Sequence, residues 1–235
     1  MEGEVRHRFG HVEAYQEKLV QQQLIPYKVF GHLELFVKRI SDVLGALLGM
    51  IPLLIAVIIL FFPYHFGNKK DRGPMFYRQK RYGYHGKVFY IIKFRTMIVG
   101  AEDYLESHPD IKKLYHAGGN KIPDDPRITK IGKIIRRKSI DELPQFLNVL
   151  NGDMSLVGPR PILPFEAEEY GVRLPYLFAC RPGITGYWTT HGRNKIFFPE
   201  RADLELKYLN VHGCLFDLIT ILTTILQTIG GAEIF

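Results

Sequence analysis

Two adjacent carboxylates, Asp141 and Glu142, are the residues of this sequence best suited to carry out chemistry. They lie in the stretch 139–144 (SIDELP), and because proline fits only in the first turn of a helix, Pro144 predicts a helix that begins near Asp141. The positive end of the helix dipole would favour the ionised form of both carboxylates. Ser139 and Glu142 also have the spacing of a capping box, so on spacing alone the pair could simply cap the helix.

Cationic residues in rigid loops surround this acidic pair along the sequence. The downstream arginines stand beside glycine or proline, where the backbone can approach a ligand closely, and the planar arginine fork suits phosphate oxygens. Together with the acidic pair, they indicate a phosphate-rich substrate with a metal ion beside it. The candidate phosphate-binding residues are Lys93, Arg95, Arg136, Arg160, Arg181 and Arg193.

The sequence lacks the motifs of several other kinds of catalytic site. It contains neither the GxxxxGK[ST] of a P-loop nor the GxGxxG of a dinucleotide-binding fold. Its nine histidines lack the spacing of metal ligands. Cys180 and Cys214 form no CxxC motif and are interpreted as reduced structural thiols.

The composition describes a globular, positively charged protein. Among 235 residues, 31 are Lys or Arg and 24 are Asp or Glu, which gives a net charge of +7. An aromatic content of 13% excludes intrinsic disorder, and two cysteines exclude a disulfide scaffold. A mean hydropathy close to zero excludes a multi-span membrane protein but not a single membrane segment. The charge would suit a nucleic-acid binder, yet no nucleic-acid motif is found, so we expect no such partner.

One apolar segment, residues 43–62, is long enough to cross a bilayer. Its 20 uncharged residues would form a helix roughly 30 Å long. Proline kinks helices, and Pro52 lies near the middle of the segment. Gly45 and Gly49 form a GxxxG pattern, which suits either a homodimer face or close packing of a bent segment.

Basic residues flank the apolar segment on both sides, and basic flanks mark the cytoplasmic face of a membrane. A straight span therefore has no clear orientation, whereas a re-entrant segment that bends at Pro52 leaves on the face that it entered. Charge and proline alone leave both topologies open. The flanking residues are Lys38 and Arg39 before the segment, and Lys69, Lys70 and Arg72 after it.

The remaining sequence predicts the elements that position these residues. Residues 75–79 and 88–95 are rich in aromatic and β-branched residues around a turn, which indicates a β-hairpin. Residues 101–116 read as one polar helix, and residues 128–138 as a basic amphipathic helix. That basic helix suits an anionic membrane surface, a phosphate-bearing ligand or a plain solvated face. Residues 215–229 form an apolar helix with a thin polar face, suited to a core or to a membrane interface.

Five motifs follow one another in an order that resembles the bacterial sugar transferase family, the monotopic phosphoglycosyl transferases. They are Lys93–Met97 (KFRTM), Asp125–Thr129 (DPRIT) leading to Gly132, Ser139–Pro144, Gly152–Pro161 (GDMSLVGPRP) and Arg181–Gly186 (RPGITG). The resemblance covers about Lys38 to the C-terminus. It implies an α+β, mostly helical fold with an N-terminal re-entrant membrane helix, a small β-hairpin or sheet and amphipathic interfacial helices.

The resemblance also implies a reaction. A UDP-sugar gives its sugar-1-phosphate to undecaprenyl (polyprenyl) phosphate and UMP leaves, as the first membrane step of exopolysaccharide or capsule synthesis. Asp141 would be the nucleophile that forms a covalent phosphosugar intermediate, and Glu142 would help hold Mg²⁺ with it. Downstream glycosyltransferases would use the product. Similarity of the C-terminal stretch favours glucose or galactose as the sugar.

We therefore expect three parts in a protein of the bacterial cytoplasmic (inner) membrane. Residues 1–36 are a polar N-terminal extension, residues 37–66 a re-entrant helix with its bend at Pro52, and residues 67–235 a catalytic domain facing the cytoplasm at the membrane interface. The chain resembles the compact catalytic form of the family. The alternative is a non-catalytic membrane adaptor that binds anionic lipid through its basic helix, but an adaptor has no need of the acidic pair and the arginine loops.

Overall fold

The apolar segment forms one long helix, α1 (His32–Phe66), which continues through Pro52 and Pro63. The structure is a computed structural model that describes residues 31–117, 122, 124–191 and 200–229. Within that part of the chain, α1 is the helix long and apolar enough to cross a membrane. It begins inside the predicted N-terminal extension, whose residues 1–30 lie outside the described residues. A bend at Pro52 is not marked by any break in the helix, so the re-entrant course stays a prediction.

Helix α1 packs along the rest of the protein through a single face. Small and polar residues at spacings of three or four make up much of this face, which runs through Asp42, Ala46, Gly49, Leu53, Ala56, Leu60 and Tyr64. The opposite face exposes large apolar side chains, among them Leu44, Leu48, Ile51, Leu54, Ile58 and Phe62. The helix therefore carries large apolar residues on its exposed face as well as on its buried one, as expected of a helix that meets lipid.

The two glycines of the GxxxG pattern face the protein's own domain. A side chain at Gly45 would collide with Leu156, and one at Gly49 would collide with the ring of Phe146. The small residues therefore let α1 approach the domain closely, in the same way that they allow close helix packing in membranes. This face of α1 is already covered by its own chain.

The predicted hairpin is confirmed. Strands β1 (Phe76–Tyr82) and β2 (Val88–Phe94) pair antiparallel, with Phe76 opposite Phe94 and Tyr82 opposite Val88. A short 3₁₀ turn joins them, in which His85 has φ 55°. Because β2 ends at Phe94, the KFRTM motif straddles the end of the strand, and Lys93 is its penultimate residue.

The predicted single polar helix over 101–116 is wrong: the structure has two helices, α2 (Ala101–Glu106) and α3 (Pro109–Ala117). Proline lacks the backbone N–H and clashes with the preceding turn, so Pro109 can start a helix but not continue one. The basic helix is present as α4 (Lys130–Arg137), and the hydroxyl of Thr129 accepts a hydrogen bond from the backbone N–H of Gly132 at its start.

The second half of the chain adds a small parallel sheet and mostly short helices. Strand β3 (Ser155–Val157) pairs with β4 (Gly183–Thr185), and one core gathers around them from Tyr82 to Leu209. Mostly helical structure with a small β portion is the predicted fold class. In chain order the helices are α5 (Gln145–Asn151), α6 (Ala167–Tyr170), α7 (Leu174–Leu177), α8 (Tyr187–Thr190), α9 (Glu200–Leu206), α10 (Tyr208–Val211) and α11 (Cys214–Ile229).

Helix α11 turns one face toward the domain and exposes a broad apolar face on the opposite side. Its polar residues face the protein: Thr220 is 3% exposed, and the hydroxyls of Thr224 and Thr185 lie 2.7 Å apart. Phe216 and Ile221 pack against the core, whereas the other large apolar residues point outward and are about half exposed or more, namely Leu215, Leu218, Ile219, Leu222, Ile225 and Leu226. Like α1, this helix exposes an apolar face, and Lys38 of α1 bonds Asp217 of α11, so the two helices adjoin.

Candidate active site

Asp141 and Glu142 lie on one 3₁₀ turn, Ile140–Glu142, between α4 and α5. Asp141 is only 9% exposed, whereas the Glu142 side chain is 40% exposed. Lys93 reaches this turn from the end of β2, and its Nζ lies 2.8 Å from Oε1 of Glu142. The structure thus places a cation from the hairpin directly on the acidic pair.

The capping box that the spacing of Ser139 and Glu142 would allow is not formed. Ser139 has φ 52°, a left-handed conformation, and its side chain makes no capping hydrogen bond. Glu142 bonds Lys93 instead of reaching back along the backbone. Helix α5 begins only at Gln145, after Pro144. Both carboxylates lie in the first turn of the 3₁₀ segment, and Glu142 is engaged by Lys93 rather than in a capping box.

Burial shapes the electrostatics of the pair. Burial first, and the negative charge of Glu142 second, raise the pKa of Asp141 to about 7, while the charges of Lys93 and Arg136 pull it down. A carboxyl whose pKa is shifted by burial and by specific charged neighbours is typical of functional sites. Near neutral pH, Asp141 can therefore hold or release a proton, and added positive charge would favour the ionised form.

Arg136 approaches the pair from the last turn of α4. Its charge acts both on Asp141 and on Asp125. Helix α4 lies close to the segment that follows β2, because Gly132 rests directly against the carbonyl of Thr96, with which a side chain would collide. The remaining basic residues of the helix and of its C-cap are exposed, namely Lys130, Lys133 and Arg137 in the helix and Lys138 at the cap.

Arg95 is held in a different way from the other predicted phosphate ligands. It is 6% exposed, and its guanidinium donates to the carbonyl oxygens of Pro74 (2.8 Å), Met97 (2.6 Å) and Asp71. The same group lies 5.1 Å from the ring centre of Tyr64. A phosphate contact by Arg95 would require it to give up at least one of these bonds.

Arg160 and Arg181 are engaged elsewhere in the domain. Arg160 lies 3.3 Å from Glu166 and 6.0 Å from the ring of Trp188. Arg181 donates to the carbonyl of Gly152 at 2.9 Å. The structure therefore gathers Lys93 and Arg136 around the acidic pair and gives Arg160 and Arg181 other partners. The last candidate, Arg193, lies outside the described residues.

Arg160 belongs to a crowded cationic cluster that the sequence did not reveal. Arg81, 6% exposed, lies beside it, and both arginines approach the carboxylate of Glu166. Burial, and next the charge of Arg160, lower the pKa of Arg81 to about 10. Two cations on one carboxylate leave an excess of positive charge here.

Tyr64, at the end of the buried face of α1, lies near the candidate active site and was not identified from the sequence. Its hydroxyl donates to the carbonyl of Arg95, and the charge of Asp141 acts on it. The sequence could have indicated that Tyr64 is buried, because the spacing of three or four residues along the buried face of α1 continues from Leu60 to Tyr64. A polar residue in that register indicates a partner inside the protein rather than lipid.

The acidic pair offers the kind of ligands that Mg²⁺ uses. Within the described residues, no group of three or more His, Cys, Asp or Glu side chains is arranged to hold a metal ion. Magnesium, however, is usually bound by one or two carboxylates together with substrate phosphates and water. Asp141 and Glu142 would fit that pattern if substrate phosphates and water supplied the remaining ligands.

Comparison with known proteins gives a consistent result. The family model described as bacterial sugar transferase matches residues 33–231. The galactosyl transferase CpsE of Streptococcus agalactiae is 41% identical over 208 residues, which are 87% of this chain and 44% of that protein. The exopolysaccharide production protein ExoY of Sinorhizobium fredii is 36% identical over 195 residues, 80% of this chain and 83% of that protein.

A third relative carries a more specific name. The undecaprenyl-phosphate galactose phosphotransferase of Salmonella typhimurium is 37% identical over 177 residues, which are 74% of this chain and 36% of that protein. The chain thus spans less than half the length of two of these relatives and most of the third.

Proposed function

Because this chain belongs to the bacterial sugar transferase family, we propose that it transfers a hexose-1-phosphate from a UDP-sugar to undecaprenyl phosphate and releases UMP. Two of the relatives are named as transferases, and one of these is named an undecaprenyl-phosphate galactose phosphotransferase. The observation that carries the proposal is the buried carboxyl of Asp141 beside the ion pair of Lys93 and Glu142. Glucose and galactose are the proposed sugars.

In the first step, a carboxylate oxygen of Asp141 would bond to the phosphorus that carries the sugar. The bond from that phosphorus to the bridging oxygen would break, and UMP would leave with the electron pair. In the second step, a phosphate oxygen of undecaprenyl phosphate would attack the same phosphorus and release Asp141. A carboxylate nucleophile divides one difficult transfer into two easier ones.

The neighbours of Asp141 address the main physical obstacle, which is the approach of one anion to another. Lys93 and Arg136 favour the ionised carboxylate and would attract the diphosphate. Mg²⁺ held by Asp141 and Glu142 would supply further neutralisation of the phosphate charge. Arg160, Arg181 and Arg193 stay proposed phosphate ligands on the strength of their motifs alone.

Both ends of α1 are fastened to the same domain, which supports a protein seated on one face of the membrane. Near its start, Lys38 lies 2.6 Å from Asp217, and Arg39 donates to the carbonyls of Val149 and Leu150. Near its end, Tyr64 donates to Arg95. These contacts disfavour a straight span, whose ends would lie on opposite faces of the bilayer. Lys38 and Arg39 therefore serve as internal partners rather than as lipid-facing flanks.

The exposed apolar faces of α1 and α11 support the same placement. Their outward apolar faces adjoin where Lys38 meets Asp217. Together they form a larger continuous apolar surface than the scattered apolar residues of an ordinary soluble protein. We propose that these faces lie in the cytoplasmic leaflet of the inner membrane, with the re-entrant course of α1 as part of the proposal. A lipid-linked acceptor would then reach the site without leaving the bilayer.

The test is release of UMP from a panel of UDP-sugars by the purified protein with Mg²⁺ and undecaprenyl phosphate. We expect release with UDP-glucose or UDP-galactose, and a loss of at least about 1,000-fold in Asp141→Asn. Asp110→Asn, which changes an exposed aspartate of α3, is the matched control and should keep full activity. Binding to anionic vesicles without any UMP release would instead favour the non-catalytic adaptor.

A further inference from the structure

Arg95 bonds three backbone carbonyls and so joins two stretches of backbone, the segment that follows α1 and the segment that follows β2. Its guanidinium donates to Asp71 and Pro74, which follow α1, and to Met97, which follows β2. Its own backbone N–H donates to the carbonyl of Met75 at 2.8 Å. Only a planar fork with several fixed donors can satisfy such a set, because a lysine ammonium is a point charge without this geometry.

On one side, this link reaches the membrane helix. The Tyr64 hydroxyl donates to the carbonyl of Arg95, and the backbone N–H of Gly73 donates to the carbonyl of Tyr64 at 3.0 Å. Tyr64 is 1% exposed and occupies the last position of the buried face of α1. The C-terminal end of α1 is therefore tied to the end of strand β2 through Arg95.

On the other side, the link reaches the candidate active site by two routes. The first is the strand itself, because Lys93 stands two residues before Arg95 and bonds Glu142. The second runs through Asp71, whose Oδ1 accepts from the backbone N–H of Ile131 at 3.3 Å, in the first turn of α4. Helix α4 carries Arg136 and leads into the turn of Asp141.

We propose that Arg95 is a positioning residue that fixes the candidate active site relative to the membrane helix. With Tyr64 and Asp71 it sets how far Asp141 stands from the apolar face of α1, and therefore from the bilayer in which the acceptor is held. The inference rests on the proposed function. It assigns Arg95 to the step that uses the lipid-linked acceptor rather than to binding of the water-soluble donor.

The two half-reactions separate this role from donor binding and from general structural damage. Without acceptor, a single round of UMP release reports only the attack of Asp141 on the donor. With undecaprenyl phosphate in phospholipid vesicles, the KM for the acceptor reports access from the bilayer. A misplaced but intact site should therefore keep the first reaction and weaken the second.

The variants are Arg95→Lys and Tyr64→Phe, each removing part of the link. Their matched controls are Arg78→Lys on β1 and Tyr90→Phe on β2, both with exposed side chains. We expect Arg95→Lys and Tyr64→Phe to raise the acceptor KM about tenfold while the first round of UMP release stays within about twofold of the wild type. The two controls should change neither quantity.

Three results would overturn the inference. An unchanged acceptor KM in both variants would show that the link does not place the site. A loss of UMP release that matches or exceeds the effect on the acceptor would return Arg95 to donor binding. Tyr64→Phe decides the matter if Arg95→Lys does not fold, as checked by thermal unfolding. A wild-type protein that releases no UMP would instead overturn the proposed function, and this inference with it.

Discussion

Lys93 and Glu142 are 49 positions apart in the chain, yet their side chains lie 2.8 Å apart at the buried carboxyl of Asp141. The ion pair joins the end of a β-hairpin to the turn between two helices. Because both side chains are partly exposed, at 26% and 40%, the pair itself adds little to the free energy of folding. Its consequence lies in the charge that it places next to Asp141.

Lys93→Met should therefore harm activity more than stability. Loss of the cation raises the pKa of Asp141 further, so the pH at which the carboxylate becomes available moves upward. We expect UMP release at pH 7 to fall about 100-fold, with a free energy of unfolding changed by less than about 1 kcal/mol. Lys112→Met, which breaks the exposed pair with Glu106 on α2, should leave both quantities unchanged. Equal losses of stability and activity would contradict the assignment.

Asp141→Asn should stabilise the metal-free protein at high pH. The carboxyl of Asp141 has a pKa of about 4 in the unfolded chain, whereas burial raises its pKa in the folded protein to about 7. Between these values the unfolded state loses its proton first, so the wild type loses stability as pH rises from about 4 to about 7. The asparagine variant does not titrate and escapes this loss.

Urea unfolding in the presence of a chelator measures this effect. We expect Asp141→Asn to be more stable than the wild type by about 1–3 kcal/mol at pH 8 and nearly equal to it at pH 4. A variant that is less stable than the wild type at pH 8 would show that Asp141 is a structural residue.

The buried pair of Asp125 and Arg127 should be essential for the fold. Both side chains are 5% exposed, and the guanidinium of Arg127 forms a bidentate ion pair with the carboxylate of Asp125. Burial raises the pKa of Asp125, but the hydrogen bonds from Arg127 outweigh it and hold that pKa below its usual range. This contribution to stability is present above about pH 4 and is lost as pH falls further.

Asp125→Asn should lower the free energy of unfolding by about 3–5 kcal/mol at pH 7, since it leaves a buried guanidinium without its charge partner. The neighbouring Asp124→Asn is a close control, because the Asp124 side chain is 94% exposed. Urea unfolding of the two variants side by side checks the prediction. Equal stability of the two would mean that the buried pair is dispensable.

The parts of the fold that the sequence predicted well are those set by local pattern. The hairpin follows from residue type and a glycine-rich turn, and α4 from isoleucine spacing. The pair of helices around Pro109 was readable from proline chemistry, although the polar periodicity ran across it. The conformation of Ser139 was not readable, because a left-handed serine depends on how α4 and the following turn pack together.

For the site, the sequence identified the charged residues but could not tell which of the cations lie next to the acidic pair. The local sequence, an arginine beside glycine or proline, is the same whether the guanidinium binds a ligand or a backbone carbonyl oxygen. Arg95 is held by backbone up to 24 positions away, and no spacing rule reports such contacts. Arg181 is similarly held by Gly152. Long-range pairing of this kind becomes visible only in the folded chain.

The outward apolar face of α11 should bind lipid without contributing to the fold. Leu218 and Leu222 are 53% and 51% exposed, so the double variant Leu218→Asp/Leu222→Asp removes apolar surface only from the outside of the protein. Each lost leucine removes about 1–2 kcal/mol of favourable burial in lipid, so binding to vesicles should weaken at least tenfold. The midpoint of urea unfolding should change little.

Thr220→Leu is the opposite change on the same helix. It adds an apolar side chain on the face turned toward the domain, where Thr220 is 3% exposed. Overpacking a tight contact costs about 1–3 kcal/mol, so this variant should lose stability while vesicle binding of its folded fraction is kept. Flotation with vesicles of neutral and anionic phospholipid, run together with urea unfolding, separates the two effects. If the aspartate variant unfolds and the leucine variant does not, the polarity of α11 is that of an ordinary core helix and its outward face is not a lipid-binding surface.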